Sequence, residues 1–266
     1  MTESTNVDTA QSIAFEAFGV RIGVATEPAE LMEHVTPLLP PGWRNCQPTS
    51  VQVAFGILAE GDGSYRFARD DAPVVVGVDL DFALLLLDSQ IRISVGLHAP
   101  NRIFVHAGVV AHQGRAIVIP GLSFAGKTTL VVALMGAGAI YYSDEFAVLD
   151  EQGLVHPYAK SVSIRDHERV QTDHDLESFG GIAGVEPLRI GAVLFTQYRA
   201  GAEFKPTRLS PARGALAMLE NTLPVLQRSE EAIRVIKRAL DGAVVLEGDR
   251  GEAEAVARPL LECMSG

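Results

Sequence analysis

Residues 121–128 read Gly121-Leu122-Ser123-Phe124-Ala125-Gly126-Lys127-Thr128, an unbroken G-x-x-x-x-G-K-[ST] string, and few architectures can use it. The string needs a strand before it and a helix after it. The apolar run "AIVI" supplies the first. The stretch "TTLVVALMGAGA" places Leu130/Leu134 and Val131/Met135 four residues apart, which predicts a helix ending at Gly136 and Gly138. Glycines let such a loop turn tightly, so that successive N–H groups converge on phosphate oxygens. The partial positive charge of the following helix favours an anion at the same place. Lys127 can then reach the β- and γ-phosphates, and the Thr128 hydroxyl can ligate magnesium. The expected nucleotide contacts are Gly121, Ser123, Phe124, Ala125, Gly126, Lys127, Thr128 and Thr129, and the expected ligands are ATP and Mg2+. An ordinary glycine-rich turn is the competing reading, and the complete string in its strand–helix context weighs against it.

Such a loop needs an acidic partner to manage the metal and the attacking group. Asp144 and Glu145 follow the short apolar run "IYY" that succeeds the predicted helix. One carboxylate would hold magnesium, directly or through water, and the other would accept a proton; which does which stays open. A solvated acidic turn is the alternative. Asp144 joins Thr128 as a candidate metal ligand.

Composition narrows the partners. The 266 residues are 47% apolar and 21% charged, enough for a real core, and the formal net charge is -11. An acidic chain argues against nucleic acid, whose backbone requires a basic face. A triphosphate needs only a local cradle. Cys46 and Cys263 are far apart and in no metal-ligand spacing, which fits a reducing compartment. The opening "MTESTNVDTAQS" lacks a basic region and an apolar core, so no signal peptide is visible. The stretch "FALLLLDSQIRISVGL" is broken by Asp88 and Arg92 and reads as a buried helix. A cytoplasmic protein with no membrane partner is expected.

Two domains are expected, a small α+β domain over 1–98 and an α/β domain over 99–266. In the first, 1–12 read as a frayed tail, "IAFEAFGVRIGVAT" as a strand, "PAELMEHVTPLL" as a helix, and Gly61-Asp62-Gly63 as a hairpin turn. In the second, "RIFVHAGVVA" and "RAIVIP" form a hairpin across "HQG", which implies a mixed sheet. Residues 166–187 show no periodicity and read as a long loop. "RIGAVLFTQY" and "AVVLEG" read as strands, with helices starting at Ser210-Pro211, at Ser229 and at Glu252.

The segment "HAGVV…GRAIVIPGLSFAGKTTLVVALMGAGAIYYSDEFAVL" resembles the catalytic domain of HPr kinase/phosphorylase and its short relatives. "GLSFAGKTTL" and the later acid pair also look like the nucleotide site of ATP-dependent phosphoenolpyruvate carboxykinase. The resemblance is specific over about residues 101–150. It implies a mixed-sheet P-loop domain of that type, with Lys127 and Thr128 in phosphate and magnesium roles and Asp144 as the catalytic carboxylate. His106 matches the family's strand histidine, near the γ-phosphate. The second acid, Glu145, stands where the phosphocarrier enzyme has a second aspartate. The short relatives occur with peptide-modification systems, which implies a hydroxyl acceptor such as a serine of a peptide or protein.

Further cations complete the candidates. Lys160 and Arg165 in "KSVSIR", and more weakly Arg189, could neutralise developing charge or grip the acceptor. The leading reading is a kinase acting by positioning and charge neutralisation, with Asp144, Glu145, Lys127, His106 and Arg165 as catalytic candidates. Alternatives are a P-loop ATPase in which Glu145 polarises water, and a nucleotide-regulated binding protein.

Overall fold

The structure, a computed structural model, describes residues 10–70, 72–121, 125–165 and 171–263. The chain divides into two compact units, Met1–Pro100 and Asn101–Gly266.

The first unit is built on a six-stranded mixed sheet in the order β3-β1-β2-β4-β5-β6. Its elements are β1 (Gln11–Ala17), β2 (Val20–Glu27), the one-turn helix α1 (Met32–Val35), β3 (Arg44–Asn45), β4 (Val53–Ala59), β5 (Tyr65–Arg69), β6 (Ala72–Val78) and α2 (Leu80–His98). The expected single strand over "IAFEAFGVRIGVAT" is a hairpin. Phe18 and Gly19 both take positive φ, and β1 pairs antiparallel with β2 around them. β1 also begins at Gln11, inside the stretch read as a frayed tail. The expected helix at "PAELMEHVTPLL" shrinks to α1 flanked by 3-10 turns. α2 opens on Asp79, whose carboxylate accepts from Phe82 N at 2.8 Å. It buries a stripe of Ala83, Leu87, Ile91 and Val95 and exposes Phe82 and Leu85, so it is amphipathic rather than wholly buried. Asp88 and Arg92, which interrupt the apolar run, pair at 2.8 Å one turn apart. Among the described residues no helix is long and apolar enough to cross a membrane.

The second unit carries an eight-stranded mixed sheet. It contains β7 (Arg102–His112), β8 (Arg115–Pro120), α3 (Lys127–Gly136), β9 (Ile140–Ser143), β10 (Phe146–Asp150) and β11 (Val155–His156). β12 (Val162–Arg165) and β13 (Gln171–His174) follow, then β14 (Ile190–Phe195), β15 (Thr207–Arg208), α4 (Pro211–Leu219), α5 (Ser229–Ala239), β16 (Val244–Glu247) and α6 (Ala253–Cys263). The sheet runs β11-β10-β7-β8-β14-β16-β15, with β9 also on β7. β7 and β8 form the expected antiparallel hairpin, turning at Gln113 and Gly114, both at positive φ. β8, β14 and β16 are parallel.

Alternation along these strands sends side chains to two cores. Ala116, Val118, Val193 and Val245 face α4 and α5. Ile117, Ile119 and Leu194 face α3 and α6, where Leu130, Val131, Leu134 and Met135 of α3 are buried. The unit is therefore a sheet between two helical layers. α3 can lie this close to β7 because residue 108 is glycine: a Cβ there would sit 2.7 Å from Val131 Cγ2. Of the long loop expected over 166–187, residues 166–170 lie outside the described residues, and 171–187 hold more order than their polarity implies. β12 and β13 pair as a hairpin, and Leu176–Phe179 form a 3-10 turn. Ser210 caps α4 as expected, whereas Ser229 is the first residue of α5 rather than its cap.

Candidate functional site

β8 runs out at Pro120, and the chain re-enters regular structure at Lys127, the first residue of α3. Gly121 N donates to His106 O at 3.3 Å, which ties the start of the loop to β7. Gly126 caps α3 at φ 79, a left-handed conformation that glycine adopts without strain. Its carbonyl accepts from Leu130 N at 3.2 Å, the first bond of the helix. The amides that follow belong to a first turn that no helix satisfies internally. Lys127 is buried, with its stem passing Gly121, while Thr128 is half-buried and Thr129 exposed. Ala125 is half-buried; Ser123 and Phe124 lie outside the described residues.

The acidic pair sits in the turn between β9 and β10. Ser143 Oγ accepts from Glu145 N at 3.0 Å and from Phe146 N at 2.9 Å, so one hydroxyl fixes the turn. Asp144 is thereby placed against the start of α3: Thr128 Oγ1 approaches its Oδ2 at 3.4 Å. Tyr141 OH donates to Asp144 Oδ1 at 2.8 Å. Burial first, and then the charge of Asp144, push the Tyr141 phenol far above its ordinary range. It stays protonated, and in this bond it donates to the Asp144 carboxylate. Glu145 is half-buried, and its carbonyl accepts from Ala107 N at 3.0 Å.

His106 lies between these two groups. It pairs with Phe146 across β7 and β10, its ring centroid 6.0 Å from that of Phe146, while its carbonyl holds Gly121 N. Gly121, Gly126, Lys127, Thr128, Asp144, Glu145 and His106 are thus gathered where β8 ends and α3 begins. Lys160 is half-buried in the connection between β11 and β12. Arg165 ends β12, and its side chain is outside the described residues. Arg189 is at the wrong end of the sheet: its carbonyl bonds Ala116 N where β8 begins, a strand's length from Gly121.

Two side chains at the site had no motif to announce them. Tyr141 reads in "IYY" as core, and it is fully buried, yet its hydroxyl serves Asp144. Arg250 follows β16 in the polar run "GDRGE". Its Nη2 donates to Gly126 O at 2.7 Å. The only sequence hint is the pair of glycines, Gly248 and Gly251, that bracket it.

Magnesium fits this donor set: Thr128 Oγ1 and Asp144 Oδ2, 3.4 Å apart, are oxygen donors of the hard kind that the ion would take.

Fold and site together define a mixed α/β protein whose second unit presents a strand–loop–helix turn opposite a carboxylate. The structure is similar to that of the Hpr(Ser) kinase/phosphatase from Coxiella burnetii, with 14% sequence identity and a TM-score of 0.36, over 61% of this chain and 99% of that chain. No protein-family model matches the sequence, and no curated protein matches it. The structural likeness is distant, and the function proposed below rests on the chain's own residues.

Proposed function

We propose that the chain binds a nucleoside triphosphate with magnesium at Gly121–Thr129 and transfers the terminal phosphate to a hydroxyl, such as a serine of a peptide or protein. The observation that carries this reading is the face-to-face placement of the Thr128 hydroxyl and the Asp144 carboxylate beside buried Lys127, at the N-terminus of α3. The first-turn amides and the Lys127 ammonium hold the phosphates. Thr128 and Asp144 are the residues that would hold magnesium, which when bound would supply charge neutralisation at the phosphates. Asp144, steadied by Tyr141 on Oδ1, takes the proton of the acceptor hydroxyl. The acceptor oxygen forms a bond to the terminal phosphorus, the bond to the bridging oxygen breaks, and the nucleoside diphosphate departs. His106 and Glu145 line the same place as further candidates for contacts with the transferred group.

The test supplies γ-labelled Mg-ATP with and without a mixture of serine-containing peptides. Label moves to peptide with the wild-type chain. Lys127→Ala lowers that transfer by on the order of 10²–10³-fold, the scale for removing one charge-stabilising donor. Free phosphate released at the same rate with and without peptide would replace transfer by hydrolysis, and unchanged transfer in Lys127→Ala would remove the loop from the reaction.

A further inference from the structure

We propose that Arg250 is a positioning residue for the phosphate loop, aiming the Lys127 amide at the nucleotide by holding the carbonyl of Gly126. The inference rests on the function proposed above and adds to it a residue outside the G-x-x-x-x-G-K-T string.

Parallel register brings Arg250 to the loop. β8, β14 and β16 run side by side, with Val193 opposite Val118 and Phe195 opposite Glu247. The segments that leave their C-terminal ends therefore emerge together: the phosphate loop, residues 196–199, and residues 248–252. Arg250 N donates to Gln197 O at 3.0 Å, and Arg250 O accepts from Arg199 N at 2.8 Å, so its backbone is fixed on the segment after β14. The side chain is 1% exposed. Nη2 reaches Gly126 O at 2.7 Å and Nη1 reaches Gly251 O at 2.9 Å. The guanidinium carbon lies 5.6 Å from the centroid of the Tyr198 ring, and Tyr198 OH donates to Glu252 Oε1 at 2.9 Å.

Packing alone does not account for an arginine here. Burying a guanidinium is costly, and its Nε has no hydrogen-bond partner among the described residues. An apolar side chain of similar volume would fill the space at less cost. What it could not do is bond the Gly126 carbonyl. That carbonyl and the Lys127 N–H belong to one planar trans peptide and point in opposite directions. Fixing one fixes the other. With Gly126 O held by Leu130 N and by Arg250, the Lys127 N–H is turned out of the helix towards the loop. A cation on the carbonyl also polarises the peptide and strengthens its N–H as a donor to an anion. The fit is close on the glycine side too: a Cβ on Gly126 would stand 2.6 Å from Arg250 Nη2.

The experiment titrates Mg-ATP calorimetrically into wild type, Lys127→Ala, Arg250→Met and Arg250→Lys, with the thermal midpoint of each nucleotide-free protein measured alongside. Arg250→Met is expected to raise Kd about 10- to 100-fold, the scale for a hydrogen bond to a charged group. Arg250→Lys, which keeps the charge and one donor, falls between it and wild type. Both keep a nucleotide-free midpoint within a few degrees of wild type. A wild-type Kd in folded Arg250→Met, with Lys127→Ala binding weakly, overturns the role of Arg250 and leaves the proposed function standing. If Arg250→Met does not fold, a wild-type Kd in Arg250→Lys overturns it equally. Affinity lost only in step with the nucleotide-free midpoint marks Arg250 as structural and also overturns it. No binding by the wild-type chain overturns the function and this inference together.

Discussion

Strand β10 has an aspartate at each end, and the two are held in different ways. Asp144, in the turn before β10, takes the Tyr141 hydroxyl on Oδ1 and faces the Thr128 hydroxyl with Oδ2. Asp150, its last residue, takes the amides of Gln152 and Leu154 on Oδ1, while His156 Nε2 lies 2.7 Å from Oδ2. Asp150 closes the tight turn into β11, and its donors come from within six residues of it. Asp144 is met by Thr128, sixteen residues away across a helix N-terminus. An acid beside a histidine looks more like chemistry than an acid beside a tyrosine. The partners reverse that impression, because backbone amides engage the Asp150 carboxylate to build a turn, whereas the Asp144 carboxylate faces a threonine hydroxyl at a helix N-terminus.

Replacing each aspartate by alanine breaks the comparison most sharply. Asp144→Ala is expected to lower phosphate transfer by about 10²–10⁴-fold, the range for losing a positioned general base, with the thermal midpoint close to wild type. Asp150→Ala takes the carboxylate acceptor from two amides of a half-exposed turn and is expected to cost about 1–3 kcal/mol of stability while transfer per folded molecule is unchanged. Label transfer and chemical denaturation, run on both variants, read the crossover. Two variants that lose stability equally and activity equally would erase the distinction.

Part of this distinction is legible without coordinates. The loop stands out because Gly126 takes a left-handed φ that glycine adopts without strain and is followed by a lysine and a hydroxyl, and Asp144 and Glu145 stand out because they follow its helix. The hairpin of β7 and β8 is visible in two apolar runs around Gln113 and Gly114, and it carries the mixed sheet with it. The hairpin of β1 and β2 is hidden, because Phe18 is an unusual residue for φ 50 and leaves an unbroken apolar alternation. Tyr141 is hidden because an aromatic in a strand is ordinarily core, and its hydroxyl finds Asp144 only once β9 has turned. Arg250 is hidden for a topological reason. Its bond to Gly126 spans 124 residues and exists only because three parallel strands end in register. Arg189 is a conspicuous cation by sequence, yet it stands at the far end of β8, whereas a cation with no motif around it bonds Gly126.

Acid sharpens the comparison from the other side. Burial works to raise the pKa of Asp150, but the hydrogen bonds from His156, Leu154 and Gln152 together outweigh it and hold the carboxyl below its ordinary value of 3.8. A folded-state value lower than the unfolded one means that the ionised carboxylate stabilises the native turn. That contribution is complete above the ordinary carboxylate range and is lost as pH falls through the lowered folded value. Thermal melts of wild type and Asp150→Ala should therefore stay apart from neutral pH down to about pH 5 and draw together as acid titrates the carboxylate below its ordinary range. A gap that does not narrow with acid would mean that the side chain's packing, not its charge, builds the turn.

The smallest expected effect tests what holds Asp144 itself. Tyr141→Phe keeps the buried ring and removes only the hydroxyl at 2.8 Å. Because burial and the neighbouring carboxylate keep that phenol protonated, its single service is to donate, and the loss is one hydrogen bond of about 0.5–1.5 kcal/mol. If the bond aims Asp144 during transfer, the variant should turn over about 2–10-fold more slowly while its melting stays near wild type. A rate unchanged by the substitution would mean that Asp144 is aimed without the phenol. A loss as deep as that of Asp144→Ala would mean that the phenol meets the phosphate or the acceptor directly, and the contrast between the two aspartates would then extend to a third residue at the same strand end.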